Sequence, residues 1–305
     1  AVCNILGAWI RFIADDNYKV MITGQSVCAL ANVFVGCAPA EIAERWFPTE
    51  EQGKAIAIGV FSNYLGWGIP FPVEAYLIRN GFTVTHMVLI NAVFASAGFV
   101  AVLLFVRDKP PTPANKTSEC ERGSILRDMM SMVKDIHFFI SSFVYGMALG
   151  ISYSIVTTLT EFLNPHNHHT MEIGYLGILF VGIGAVASFF FEILIKRGIP
   201  FGTTVKGLLV LGFISLILLG IGAKENITAL NYLGTIVSGI SLIGITPLCV
   251  QCAVEQTFPV SESNSSQFLF IQAQVLSTII STVTSLKSVL AYGWWIMAAC
   301  IALSF

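Results

Sequence analysis

Long apolar stretches recur along this 305-residue chain, and short polar joints separate them. A helix needs about 20 apolar residues to cross a bilayer core of about 30 Å, so each stretch of that length predicts a membrane-spanning helix. Two partial stretches, 1–14 and 291–305, lie at the ends of the chain. Eight complete spans are predicted near residues 20–46, 54–78, 85–106, 136–162, 174–195, 204–223, 231–257 and 264–286. The pattern therefore predicts an all-α polytopic membrane protein with ten apolar segments.

The joints carry proline, glycine, asparagine or charged residues, which interrupt helices. The joint at 107–134 is the only long polar one, and it divides four apolar segments from six. This layout is typical of two six-helix halves joined by a linker. We interpret 1–106 as the remainder of an N-terminal half and 135–305 as a C-terminal half with a truncated last helix. On this interpretation two helices are missing from the front, and the chain is truncated at both ends.

Lysine and arginine are distributed unequally between alternate joints. If the 107–134 linker is cytoplasmic, the joints on its side hold eleven of the 16 basic residues and the opposite side holds five. Cytoplasmic loops of membrane proteins carry this excess, so the linker is predicted to be cytoplasmic. Only 11% of the residues are charged, against about a quarter in a soluble domain. The net charge of −2 excludes a nucleic-acid-binding surface, and no nucleic-acid partner is expected.

Polar side chains inside the predicted spans are the candidate functional residues. Tyr153 lies within an apolar span, where a tyrosine face attracts a desolvated cation by about 2 kcal/mol. The alternative is a core aromatic residue whose hydroxyl binds a neighbouring helix. Asn32 and Gln274 could line a site for a small substrate, although buried amides also join helices together. Each interpretation stays open for these three residues.

A second set of polar residues suits coupling or gating. Glu255 is an acid near membrane depth, where ionisable residues are functional candidates, but a gate or interhelix contact explains it equally well. Asn63 and Gln251 are further amides within spans. No histidine box or nucleophile with a neighbouring base is evident, because the histidines are two isolated residues at helix ends and a loop cluster at 166–169. We therefore expect no enzyme activity, no catalytic residue, no metal and no cofactor.

Several motifs follow the spans in a familiar order. They are Gly24-Gln25-x-x-Cys28-Ala29-Leu30-Ala31-Asn32, Trp46-Phe47, Gly150-x-x-Tyr153 and Gln272-Ala273-Gln274-Val275. Together they resemble the feline leukaemia virus subgroup C receptor family, solute carrier family 49 of the major facilitator superfamily. The resemblance implies ten of the twelve helices of that fold, from the third to the twelfth, with the first and last of them partial.

The resemblance also implies a function and a site. Members are facilitative secondary transporters that work by alternating access, and they have been assigned choline and ethanolamine transport or haem export. In choline-type members a quaternary ammonium sits among a first-helix tryptophan, a seventh-helix tyrosine and two glutamines. Tyr153 and Gln274 match the tyrosine and the eleventh-helix glutamine. Asn32 occupies the position of the fourth-helix glutamine and is one methylene shorter.

Two other functions fit the same resemblance. The lysosomal branch, which shares Trp46-Phe47 and Tyr64-x-Gly66, is proposed to move a vitamin-like solute, here with protons. A non-transporting receptor could also use this fold. We expect a small-molecule substrate, contact with membrane lipid and a monomer. The plasma membrane is the expected location, with the lysosomal or mitochondrial membrane as alternatives.

Overall fold

A computed structural model describes residues 1–14, 17–36, 38–107, 132, 135–163, 170–197, 200–257, 262–286 and 292–304. The predicted linker at 107–134 and the histidine cluster at 166–169 fall almost entirely outside these residues. All regular structure within them is helical. The helices are α1 (Val2–Ile13), α2 (Tyr18–Val35), α3 (Ala38–Trp46), α4 (Thr49–Gly68), α5 (Pro70–Arg79), α6 (Val84–Phe105), α7 (Ile136–Leu163), α8 (Thr170–Lys196), α9 (Phe201–Lys224), α10 (Thr228–Ser238), a π-helical turn (Gly239–Ile243), α11 (Ile245–Thr257), α12 (Glu262–Thr284) and α13 (Gly293–Ala302).

Six stretches of helix in the described residues are long and apolar enough to cross a membrane. They are Val84–Phe105, Ile136–Leu163, Met171–Phe191, Phe201–Lys224, Thr228–Thr257 and Asn264–Thr284. Large apolar side chains remain exposed on them, such as Phe94 at 73% and Phe105 at 80% on α6. Helices satisfy their own backbone hydrogen bonds, so such surfaces suit lipid. The prediction of an all-α, multi-pass integral membrane protein is confirmed.

Two predicted spans differ from the structure, because each is divided between two helices. The span predicted near 20–46 forms α2 and α3, and the span near 54–78 forms α4 and α5. Pro39 lies in the first turn of α3, and Pro70 begins α5. Proline has no N–H to donate to a preceding turn, but its fixed φ suits a helix start. Each proline therefore marks the beginning of a new helix.

The chain forms two compact units. The first comprises Ala1–Gly59 and Tyr76–Glu121. Within it α1 packs against α2 and α6. A methyl group added to Gly7 would lie 2.6 Å from the Gly24 carbonyl oxygen, so these glycines let α1 and α2 approach closely.

The second unit comprises Val60–Ala75 and Arg122–Phe305, and α7 lies in its core. Ile151, Ile155 and Leu159 are almost completely buried and follow each other at four-residue intervals, which places them on one face of α7. In this unit α7 packs against α11 and α12, α8 against α10 and the π-helical turn, and α9 against α10 and α13. The end of α4 and the start of α5 belong to the same unit, and this brings residues 60–75 into contact with α7 and α8.

Candidate functional site

Three aromatic side chains from α4 and α7 form one cluster in the second unit. We call Tyr64, Trp67 and Tyr153 the aromatic cluster. The ring centroids of Trp67 and Tyr153 are 4.5 Å apart with planes tilted by 54°, and those of Tyr64 and Trp67 are 5.9 Å apart at 80°. Tyr64 and Trp67 are three residues apart, so both project from the same face of α4. Tyr153 and Trp67 are half-buried, and each keeps part of its surface accessible.

Tyr64 anchors this cluster to the protein core. Its side chain is buried, and its hydroxyl lies 3.0 Å from Thr246 Oγ1 on α11. Thr246 in turn donates to the carbonyl of Ile243 at 2.7 Å, at the end of the π-helical turn. Ser188 on α8 donates to the same carbonyl at 3.1 Å. The Tyr64 hydroxyl is therefore engaged in a structural network, and its ring gives Trp67 a fixed neighbour.

An amide side chain lies beside the aromatic cluster. The Tyr153 hydroxyl lies close to the Gln274 side chain on α12, without pairing with its amide nitrogen. The Gln274 amide nitrogen, Nε2, is buried and has no hydrogen-bond partner among the described residues. An unpaired buried donor costs about 1–3 kcal/mol, and a ligand or water that accepts its hydrogen bond offsets that cost. This amide nitrogen is therefore a candidate donor to a small polar molecule.

Close packing between α7 and α12 brings Tyr153 and Gln274 together. A methyl group on Gly150 would lie 3.2 Å from the Ser277 backbone nitrogen, so the helices touch at this point. One turn further along α7, Ser154 Oγ accepts a hydrogen bond from Ser281 Oγ at 3.0 Å. Glycine at the crossing and hydroxyl pairing beside it hold the two helices in register. Of the three predicted substrate residues, the structure thus places Tyr153 and Gln274 side by side.

Asn32 and Asn63 lie elsewhere in the described chain. Asn32 is exposed near the end of α2 and belongs to the first compact unit. Asn63 is half-buried on α4, next to Tyr64 in sequence, and belongs to the second unit. The roles assigned to both residues stay predictions.

The predicted coupling residues Gln251 and Glu255 contact each other on α11. Gln251 Nε2 donates to Glu255 Oε1 at 3.1 Å, one helical turn away, and both side chains are exposed. Nearby, Ser141 Oγ on α7 donates to Gln256 Oε1 at 2.6 Å and so links α7 to α11. This arrangement suits a polar contact between helices as well as a gate, so the coupling role stays a prediction.

Sequence reasoning missed Trp67, and it used Tyr64 only as a family motif. The available signal was the Tyr64-x-x-Trp67 spacing, which puts two aromatic rings on one helix face. The contact of Trp67 with Tyr153 joins helices that are far apart in sequence. In the described part of the chain there is no group of three or more histidine, cysteine, aspartate or glutamate residues that could hold a metal.

Long apolar helices that enclose some buried polar side chains define a multi-pass membrane protein. The model of the Major Facilitator Superfamily matches residues 1–282, and the chain belongs to this superfamily. Its members are transporters.

Curated relatives confirm the family resemblance. The choline/ethanolamine transporter flvcr2a of Danio rerio is 28% identical over 291 residues, which cover 90% of this chain and 62% of that protein. The human choline/ethanolamine transporter FLVCR2 is 25% identical over 306 residues, covering 95% of this chain and 58% of that protein. The choline/ethanolamine transporter FLVCR1 of Mus terricolor is 28% identical over 303 residues, covering 90% and 54%. The chain thus spans less than two thirds of the length of these relatives.

Solved structures confirm the fold. The fucose:proton symporter FucP of E. coli superposes with a TM-score of 0.60 at 13% identity, covering 99% of this chain and 80% of that one. A bacterial homologue of the human lysosomal transporter Spinster, in an inward-facing and occupied conformation, has a TM-score of 0.67 at 10% identity, covering 99% and 79%. Because the identities are so low, these similarities concern the fold alone.

Proposed function

We propose that this protein is a facilitative transporter for a small organic cation such as choline or ethanolamine. The observation that carries the proposal is the half-buried Tyr153 side chain, whose ring lies against Trp67 and whose hydroxyl lies near the Gln274 amide with its unpaired nitrogen. The names of the curated relatives, choline/ethanolamine transporters, support the same class of substrate.

The residues of this site suit a molecule that carries both a positive charge and a hydroxyl group. An aromatic face stabilises a desolvated cation by about 2 kcal/mol. It does so without a fixed negative charge, which would bind the cation too tightly for release. The Gln274 Nε2 group would donate to the hydroxyl oxygen and so orient the molecule. Weak, neutral recognition of this kind lets a transporter release its substrate on the far side, as alternating access requires. No bond is made or broken, and we propose no catalytic residue.

We also propose supporting roles for the remaining polar residues. Asn32 would contribute a further amide to substrate recognition, which is the role its position in the family motif implies. Asn63, Gln251 and Glu255 would act in gating or coupling. The proposed setting is the plasma membrane, with the protein acting as a monomer.

The direct test is uptake of radiolabelled choline and ethanolamine by cells that express the intact protein. We expect saturable uptake of both above the level of cells carrying an empty vector, and competition of each by the other. Absence of uptake with normal amounts of protein in the membrane would contradict the proposal and would favour the receptor alternative.

The other family functions make different predictions in the same assay. Proton-coupled movement of a vitamin-like solute would make transport depend on a pH gradient, whereas a facilitator would respond only to the substrate gradient. Haem export would lower the haem content of expressing cells without affecting choline uptake. Neither result is expected.

A further inference from the structure

The aromatic surface beside Gln274 is wider than one ring, because Trp67 extends it. The centroids of Trp67 and Tyr153 are only 4.5 Å apart, so a cation does not fit between these rings. A cation is attracted to an aromatic ring from within about 6 Å of its centroid. A single cation that lies within this distance of both centroids, on a side where both rings are accessible, would interact with both rings at once.

Trp67 has a fixed aromatic neighbour, and the backbone beside it is packed. On one side its indole contacts the edge of Tyr64, whose hydroxyl is held by Thr246. In the backbone, a methyl group on the adjacent Gly68 would lie 3.6 Å from Val181, so this part of α4 packs directly against α8. A ring held in this way loses little conformational freedom when a ligand binds, and preorganisation of this kind favours affinity.

The polar groups around this surface favour one type of cation. A primary ammonium group has three N–H donors, which need acceptors once they leave water. The Tyr64 hydroxyl is buried and paired with Thr246, and the unpaired atom of Gln274 is a donor, so the Tyr153 hydroxyl and the Gln274 carbonyl oxygen are the acceptors left beside the rings for three donors. A quaternary ammonium group has no N–H donors and needs only contact with its methyl groups, which two aromatic faces provide.

We infer that Trp67 is a specificity-determining residue, and that its indole, packed on Tyr153, makes the site prefer a quaternary ammonium over a primary one. This inference rests on the proposed transport of organic cations. Trp67 lies on α4, and the sequence motifs did not point to it. It would give the cation a second aromatic contact besides Tyr153.

The test compares choline with ethanolamine in Trp67→Leu and Trp67→Phe variants of the intact protein. We expect Trp67→Leu to raise the KM for choline by about five- to thirtyfold, which corresponds to losing one strong cation–π contact, and to change the KM for ethanolamine by less than about twofold. Trp67→Phe keeps an aromatic face and should retain most of the preference for choline. Trp295→Leu is the matched control, since Trp295 is 42% exposed on α13, and it should leave both KM values unchanged.

A second measurement isolates the cation from the hydroxyl group. Tetramethylammonium carries the quaternary charge alone, and it should inhibit ethanolamine uptake by the unmodified protein and by Trp67→Phe but only weakly by Trp67→Leu. Because ethanolamine uptake persists in all three proteins, this readout also shows that the variants are folded. If Trp67→Leu does not reach the membrane, Trp67→Phe and Trp67→Tyr are compared with the unmodified protein instead. Both variants should prefer choline nearly as strongly as the unmodified protein does, and loss of the preference in both would contradict the inference.

Two results would overturn the inference. Equal losses for choline and ethanolamine in Trp67→Leu would assign the indole to helix packing, and an unchanged choline KM would remove it from the site. In both cases the proposed transport activity would stand, because the unmodified protein still takes up both substrates. If the unmodified protein takes up neither substrate, the proposed function and this inference fail together.

Discussion

Tyr153 is the residue on which the proposed site depends, because its ring and its hydroxyl have different neighbours. The ring lies against Trp67, whereas the hydroxyl lies beside Gln274. A cation–π role uses the ring face, and a structural or substrate hydrogen bond uses the hydroxyl. Substitutions at this one position can therefore separate the two interpretations that the sequence left open.

We expect Tyr153→Phe to keep substantial choline uptake and Tyr153→Ala to raise the apparent KM by about five- to thirtyfold, because only alanine removes the aromatic face. Uptake kinetics corrected for protein at the membrane would measure both effects. If the hydroxyl matters more, Tyr153→Phe is already damaging, since the Gln274 amide then loses its neighbour. Full activity in the alanine variant would make Tyr153 an ordinary packing residue.

Gln274 gives a second prediction at the residue scale. Gln274→Ala removes the unpaired donor, so substrate affinity should fall by about three- to tenfold, the worth of one hydrogen bond, while the folded protein is at least as stable. The matched measurement is the melting temperature of the purified protein beside its uptake KM. A lower melting temperature with an unchanged KM would instead assign the amide to helix association.

At the scale of elements, the contact between α7 and α12 decides whether Tyr153 and Gln274 meet. Gly150 sits at the crossing, directly against the backbone of Ser277. The π-helical turn between α10 and α11 also helps to position the site. Its last carbonyl, that of Ile243, accepts hydrogen bonds from the hydroxyls of Ser188 and Thr246. Thr246 then pairs with Tyr64, so the backbone irregularity supports the aromatic cluster.

We expect Gly150→Leu to impair both stability and transport, because the larger side chain forces α7 and α12 apart. Overpacking of this kind costs about 1–3 kcal/mol, and it would separate Tyr153 from Gln274. Thermal unfolding and choline uptake are the measurements. Gly182→Leu is the control: Gly182 is also helical, on α8, and a methyl group there meets no described atom within 4 Å. Equal effects of the two substitutions would show that the crossing is not special.

At the scale of the whole molecule, the distribution of charge predicts the orientation of the chain in the membrane. Eleven of the 16 lysine and arginine residues fall in joints on one side, including the 107–134 joint. Positive charge is retained on the cytoplasmic side during insertion. Nothing about this asymmetry depends on how the helices pack.

We therefore expect Cys120, within the 107–134 joint, to be cytoplasmic. In a variant whose other cysteines are replaced by serine, an impermeant thiol reagent should label Cys120 only after the plasma membrane is permeabilised. Removing Cys120 as well provides the background. Labelling in intact cells would mean that every span has the opposite orientation to the one predicted.

The apolar pattern by itself showed that this protein lies in a lipid bilayer and is all-helical, because crossing a bilayer imposes a length and a composition that can be read locally. The superfamily came from the resemblance of short motifs along the chain, and not from the apolar pattern. The apolar pattern also pointed to Tyr153 and Gln274 as polar residues within spans. The division of two predicted spans at Pro39 and Pro70 was visible only in the structure, since hydropathy averages over single residues. Trp67 needed the tertiary structure too, because its role depends on α4 meeting α7, and contact between distant helices is set by the packing of their faces.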